Sequence, residues 1–357
     1  MQYLAFGSDR FRSSFVILNS SLFPMTHLLA YRRYRLPLRV AVRTAHGVLA
    51  ERTGVLVRLE DESGAVGWGE AAVLPWFGTE TADEVAAACS VLGDRVTAEQ
   101  LASVPVRLRC LRFALQTATS AKASATQKHL PVAALLPAGL PALKKIAPLA
   151  EAGFRTFKWK VGVGDMADEL ALLDDVCAAL PGGAKLRLDA NGAWQRLQAE
   201  HWLERCAERP VEFIEQPVAA DARGAEDLLC GLANDYPTPL ALDESLSGEG
   251  EVERWLEVGW PGVFVVKPSL LGDAAGALAR LAAAKAKVVF SSALETALGA
   301  QAALRLAFQW PGEARAMGFG VWPLFADARF DGPTLAPFLR AEDVERINVE
   351  AAWNALS

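Results

Sequence analysis

Apolar and polar positions follow two different rhythms along this chain. Residues 27–40 alternate in the manner of an extended strand. Residues 54–59 and 65–70 are strand-like on either side of Asp61-Glu62-Ser63-Gly64, a turn sequence, and the pair reads as a hairpin. Residues 79–92 and 107–121 then switch to helical spacing, with Thr79 or Thr81 as the N-cap of the first and acids in its opening turn. Strands followed by helices predict an α+β unit of about 100 residues. Two of its loops, Arg43-Thr44-Ala45-His46-Gly47 and Pro75-Trp76-Phe77-Gly78, either cover a site or are ordinary connections.

From residue 131 the rhythm changes. Short apolar runs at 132–136, 157–161, 185–189, 211–215, 240–243, 263–267, 287–291 and 315–319 alternate with Ala-, Leu- and Glu-rich stretches at helical spacing, such as 273–286. Eight parallel strands with helices between them predict a (β/α) barrel.

The second of these runs, Phe157-Lys158-Trp159-Lys160-Val161, carries the first chemical signal. Side chains two apart on a strand share a face, so Lys158 and Lys160 point the same way. On a solvated face this is an ordinary polar stripe. In an interior, desolvation and like-charge repulsion lower the lysine pKa and make a base that works near neutral pH. The ends of the neighbouring strands favour the interior. Lys160, Asp189, Glu215, Asp243 and Lys267 each end a predicted strand, at separations of 29, 26, 28 and 24 residues. Each step is about one βα unit, so all five meet at the barrel mouth, where barrel active sites lie. Three carboxylates gathered there call for a cation. An all-oxygen set, with no His or Cys, selects a hard ion, Mg²⁺ or Mn²⁺.

Composition narrows the class. The 357 residues are 52% hydrophobic with a net charge of −6, which suits a globular protein with a large core and disfavours a nucleic-acid partner. No apolar run approaches a membrane span. Cys89, Cys110, Cys177, Cys206 and Cys230 are odd in number and lack metal or disulfide spacing, so they read as reduced core cysteines of a cytoplasmic protein. Residues 1–24 lack a convincing signal peptide. They read as a poorly ordered extension, or as sequence ahead of a true start at Met25.

The motifs Lys158-Trp159-Lys160, Leu188-Asp189-Ala190-Asn191, Ile214-Glu215-Gln216-Pro217, Leu242-Asp243-Glu244-Ser245 and Val266-Lys267-Pro268 resemble those of the enolase superfamily, in its muconate-lactonizing subgroup, from Met25 to the C-terminus. That resemblance implies an α/β fold, a (β/α)7β TIM-like barrel with an N-terminal α+β capping domain. The implied organisation is an extension at 1–24, a cap at 25–130, the barrel at 131–325, and a segment at 326–357 packing back toward the cap. It also implies that Asp189, Glu215 and Asp243 bind Mg²⁺, that Lys160 and Lys267 face each other across the substrate, and that Lys158 lowers the pKa of Lys160.

Within the subgroup, Phe290-Ser291-Ser292-Ala293-Leu294-Glu295-Thr296-Ala297-Leu298-Gly299 is similar to the seventh-strand segment of o-succinylbenzoate synthases. So are the opening Tyr31-Arg32-Arg33-Tyr34-Arg35-Leu36-Pro37-Leu38 and Gly67-Trp68-Gly69-Glu70-Ala71. The implied activity is dehydration of a small-molecule carboxylate through an enediolate, in menaquinone or phylloquinone biosynthesis. Ser291 and Ser292 are candidates to hold its succinyl arm, and Asn191 to orient groups about the metal. None of His27, His46, His129 and His201 falls on a late barrel strand, which disfavours the mandelate-racemase branch, and no Asp-x-Asp occurs at 314–320 as expected of dipeptide epimerases. An N-acylamino-acid racemase of the same subgroup uses the same two lysines and stays open, as do a muconate cycloisomerase, a non-catalytic barrel and a homo-oligomeric state.

Overall fold

The structure, a computed structural model, describes residues 26–44, 47–120 and 124–356. The extension at 1–24 and the tip of the 43–47 loop, His46 included, lie outside the described residues.

A four-stranded antiparallel sheet opens the chain: β1 (Thr26–Thr44), β2 (Gly47–Asp61), β3 (Val66–Ala71) and β4 (Arg95–Thr97), in the order β3-β2-β1-β4. The expected hairpin is β2–β3, turned at Asp61, whose carboxylate accepts the Ser63 and Ala65 amides. Thr81, not Thr79, caps the helix Ala82–Leu92, in a capping box with Glu84. Gly67 and Gly69 let the helix Arg109–Thr119 lie directly on β3, because a Cβ at either would overlap the carbonyls of Ala118 and Ala114. The strand β4 and the short helix Ala98–Ala102 carry no clear period and escape sequence reading.

After β5 (His129–Pro131) the barrel begins. Its strands are β6 (Ala134–Leu136), β7 (Thr156–Lys160), β8 (Lys185–Asp189), β9 (Val211–Glu215), β10 (Leu240–Leu242), β11 (Val263–Val266) and β12 (Lys287–Phe290). They pair in parallel in sequential order. A helix follows each, from Pro141–Glu151 after β6 to Ala297–Gln309 after β12.

The eighth strand expected at 315–319 is reduced to two parallel bridges, Val132↔Met317 and Ser291↔Gly318. These nonetheless close the ring: Met317 donates to the Pro131 carbonyl and Gly318 to that of Phe290. The architecture is a (β/α)7β barrel with an N-terminal cap. Phe213, Ala241, Val263, Val265 and Val289 fill the barrel interior below the mouth. Beyond the barrel, β13 (Phe338–Arg340) pairs with β5, and the Trp353 carbonyl accepts Arg32 of β1.

Candidate active site

Register decides what the barrel mouth contains. Lys160 is paired with Asp189, and Asp189 with Glu215, so three consecutive strands end on charged residues at one level. Asp243 and Lys267 stand one residue beyond the last paired positions of β10 and β11. In an eight-membered ring, β7 and β11 are four strands apart and therefore opposite. Lys160 and Lys267 face one another, and the three acids lie on the strands between them.

The side chains meet at this mouth. Lys158 Nζ lies 2.8 Å from Asp189 Oδ2 and 2.6 Å from Glu215 Oε1, and Lys267 is paired with Asp243. Lys267 Nζ also sits 4.5 Å from the centroid of the Phe77 ring, a cation–π contact made by the cap. A cavity of about 270 Å³ lies among Lys158, Lys160, Asp189, Asp243 and Lys267, with Glu215 beneath. A larger depression of about 640 Å³ adjoins it and shares Asn191 and Glu244, but contains neither catalytic lysine candidate. Lys160 and Lys267 both line the smaller one.

Electrostatics separates the two lysines of β7. Burial lowers the pKa of Lys160; Asp189 opposes this, and Lys158 adds to it. Lys158 behaves the other way. Burial disfavours its charge, but Asp189, Glu215 and Asp243 outweigh that and raise its pKa. Lys158 thus acts on Lys160 in the expected direction while its own pKa moves the other way: one lysine is the base candidate and its neighbour a fixed cation.

Glu215 is pushed up to about 8, first by burial and then by the Asp189 charge, against the pull of Lys158. Three carboxylates and two lysines therefore share this space, Lys158 between Asp189 and Glu215, and Lys267 against Asp243. Among the described residues no three acidic side chains close on one point as a ready coordination shell, and Lys158 Nζ lies between Asp189 and Glu215. The donor chemistry nonetheless fits a divalent ion: three buried carboxylates supply hard oxygen ligands, with no softer donor among them.

Several supports were not singled out from sequence. Gln216, held at φ 38°, accepts the Asp243 and Ser245 amides on its side-chain oxygen and so fixes the Asp243 strand end. Glu169 accepts the amides of Gly162, Val163 and Gly164, pinning the loop after Lys160. Glu244, directly after Asp243, accepts Asn191 Nδ2 at 3.1 Å and is pushed up to about 7 by burial and by Asp243. Its place at a strand end beside Asp243 was the available signal.

Ser291 and Ser292 line the cavity, but their hydroxyls face protein acceptors, Ser291 the Gly318 carbonyl and Ser292 the Glu295 carboxylate. Trp76 and Phe77 bring the second cap loop to the cavity. Of the described histidines, none lines it.

The family models match on both halves: MenC, N-terminal domain, over residues 25–121, and enolase C-terminal domain-like over residues 142–337. An o-succinylbenzoate synthase from Thermosynechococcus vestitus is 41% identical over 298 residues, 82% of this chain and 91% of that one. The chain belongs to the o-succinylbenzoate synthase family of the enolase superfamily. A second member of the family, from Yersinia enterocolitica, is 30% identical over 77% of this chain and 84% of its own. The solved o-succinylbenzoate synthase of Thermosynechococcus elongatus, complexed with Mg in its active site, superposes with a TM-score of 0.79 at 36% identity, covering 92% of this chain and 99% of that one. Among the described residues no helix is long and apolar enough to cross a membrane.

Proposed function

We propose that this chain is an o-succinylbenzoate synthase, a carbon–oxygen lyase that removes water from 2-succinyl-6-hydroxy-2,4-cyclohexadiene-1-carboxylate in syn fashion to give 2-succinylbenzoate, in menaquinone or phylloquinone biosynthesis. The observation that carries the reading is the opposed pair Lys160 and Lys267, on strands four apart, with Asp189, Glu215 and Asp243 between them. The family of the chain supplies the substrate class.

Asp189, Glu215 and Asp243 are the residues that would hold Mg²⁺, with Mn²⁺ as a substitute. When bound, the ion supplies positive charge for the substrate carboxylate as the enediolate develops. Lys160, whose pKa burial and Lys158 lower, takes the proton from the carbon next to the carboxylate. The lysine, now an ammonium, returns that proton to the departing hydroxyl. The hydroxyl leaves as water and the ring becomes aromatic. Lys267, held by Asp243 and by the Phe77 ring, faces the enediolate from the other side and balances its charge. Asn191, Ser291 and Ser292 complete the walls against which the substrate is oriented.

The test is a spectrophotometric assay on that substrate with Mg²⁺ and then with a chelator. Metal-dependent formation of 2-succinylbenzoate is expected. A folded, metal-binding protein that makes none, yet exchanges the α-deuterium of N-acylamino acids, would move the activity to the racemases, which use the same two lysines.

A further inference from the structure

One buried arginine is used by none of these steps. Arg52, on β2 of the cap, is 1% exposed, and no carboxylate pairs with it among the described residues. Its donors go to backbone carbonyls, that of the adjacent Thr53 and those of two further segments. Nη1 donates to Val73 at 2.7 Å and to Thr53 at 3.3 Å; Nε donates to Leu294 at 3.0 Å, and Nη2 to Ala293 at 3.2 Å. Both segments wall the cavity: Leu74 follows Val73, and Ala293 and Leu294 line it directly.

Leu294 itself is in an unusual state. Its φ is 59°, a left-handed conformation that a leucine adopts only at a cost and keeps only when its surroundings over-determine it. Here both ends of the residue are gripped. Its amide donates to Ser292 Oγ at 2.9 Å, that hydroxyl donates to Glu295 Oε2 at 2.6 Å, and its carbonyl accepts Arg52. A planar guanidinium reaches two successive carbonyls on one segment and a third on another, which an ammonium on a flexible stem does not match.

We propose that Arg52 is a positioning residue for substrate recognition: it holds the backbone of Ala293 and Leu294 so that Leu294 stands as an apolar wall of the cavity, and ties that barrel wall to the cap wall at Val73–Leu74. Leu74 and Leu294 present no hydrogen-bonding side chain, so this side of the cavity takes an apolar face of the substrate. A cap residue that never touches the substrate thereby sets how tightly the barrel grips it. The inference rests on the function proposed above.

The experiment uses the full chain with Arg52→Lys, Leu294→Gly and the double variant. Loss of one well-placed apolar wall is expected to raise KM by about tenfold or more in each single variant while kcat falls less than about threefold, as for lost uniform binding. The double variant should be no worse than the poorer single one, and Mg²⁺ affinity by calorimetry should not change. Multiplying effects in the double variant, or a fall in kcat at constant KM, would overturn the proposal. Amide exchange of Leu294 supplies a readout independent of any substrate. It should accelerate at least about tenfold in Arg52→Lys, with the β7 amides unchanged, if Arg52 holds the segment. Unchanged Leu294 protection overturns the proposal even if turnover is seen. Accelerated exchange in a protein whose wild type makes no 2-succinylbenzoate would leave Arg52 its positioning role and overturn only the assigned reaction.

Discussion

Lys158 Nζ stands 2.6 Å from Glu215 Oε1, at the bottom of the cavity, and its charge acts on Lys160 two residues further along the same strand. A buried cation that is itself held by carboxylates keeps its proton and repels a second one. Because a base must be neutral, kcat/KM should rise with pH as Lys160 loses its proton, with the rising limb below the ordinary lysine value of 10.5. In Lys158→Met the limb should move to higher pH. A limb that stays in place would separate Lys158 from the tuning of the base.

Replacing Lys160 with Ala removes the proposed base without touching a carboxylate. Turnover should fall by about 10²–10⁴-fold, while circular dichroism and Mg²⁺ titration match the wild type. Substantial residual turnover would shift the role to Lys267.

Asp189→Asn takes a charge from the proposed metal set. Affinity for Mg²⁺ by calorimetry should weaken by more than about 100-fold, beyond the loss typical of an outer-sphere partner. Unchanged affinity would remove Asp189 from the ligands.

Glu70 tests the joint between cap and barrel. Its buried carboxylate accepts the Thr296 amide at 3.0 Å, the Gly299 amide at 2.9 Å and the Tyr34 hydroxyl at 2.6 Å, and so caps the barrel helix Ala297–Gln309 from the cap sheet. Glu70→Ala strands several buried donors at about 1–3 kcal/mol each, so denaturant unfolding should show a loss of about 3 kcal/mol or more. A loss under about 1 kcal/mol would mean that water replaces the carboxylate.

Glu295 gives a stability prediction with a definite sign. Burial, with some help from the Glu70 charge, lifts its pKa from 4.5 to about 7, against the hydrogen bond from Ser292. Between those values the folded state holds a proton that the unfolded chain has released. Its contribution is therefore fully present below 4.5 and is lost as pH rises to about 7, by roughly 3 kcal/mol. Glu295→Gln should remove this dependence, raising the melting temperature at pH 8 relative to wild type more than at pH 5. Parallel melting curves at both pH values would show that Glu295 ionises freely.

Local pattern along the chain was enough to define the barrel and the ring of charged strand ends at its mouth. The period of short apolar runs and the single charged residue closing each one are local properties, and parallel strands in sequence order turn them into a common mouth. The motif residues from Lys158 to Lys267 were legible for that reason, and so was the hairpin at Asp61. Three features depended on tertiary packing. The eighth strand shrank to two bridges at Met317 and Gly318, because closing a ring needs only enough backbone pairing to satisfy its two edges. The opposite shifts of Lys158 and Lys160 follow from which carboxylates each one meets, and alternation along a strand carries no such information. The union of cap and barrel through Arg52, Glu70 and Leu294 joins residues more than 200 positions apart. No local pattern marks such a contact, since it exists only when two separately folded surfaces are pressed together and their buried polar groups must find partners.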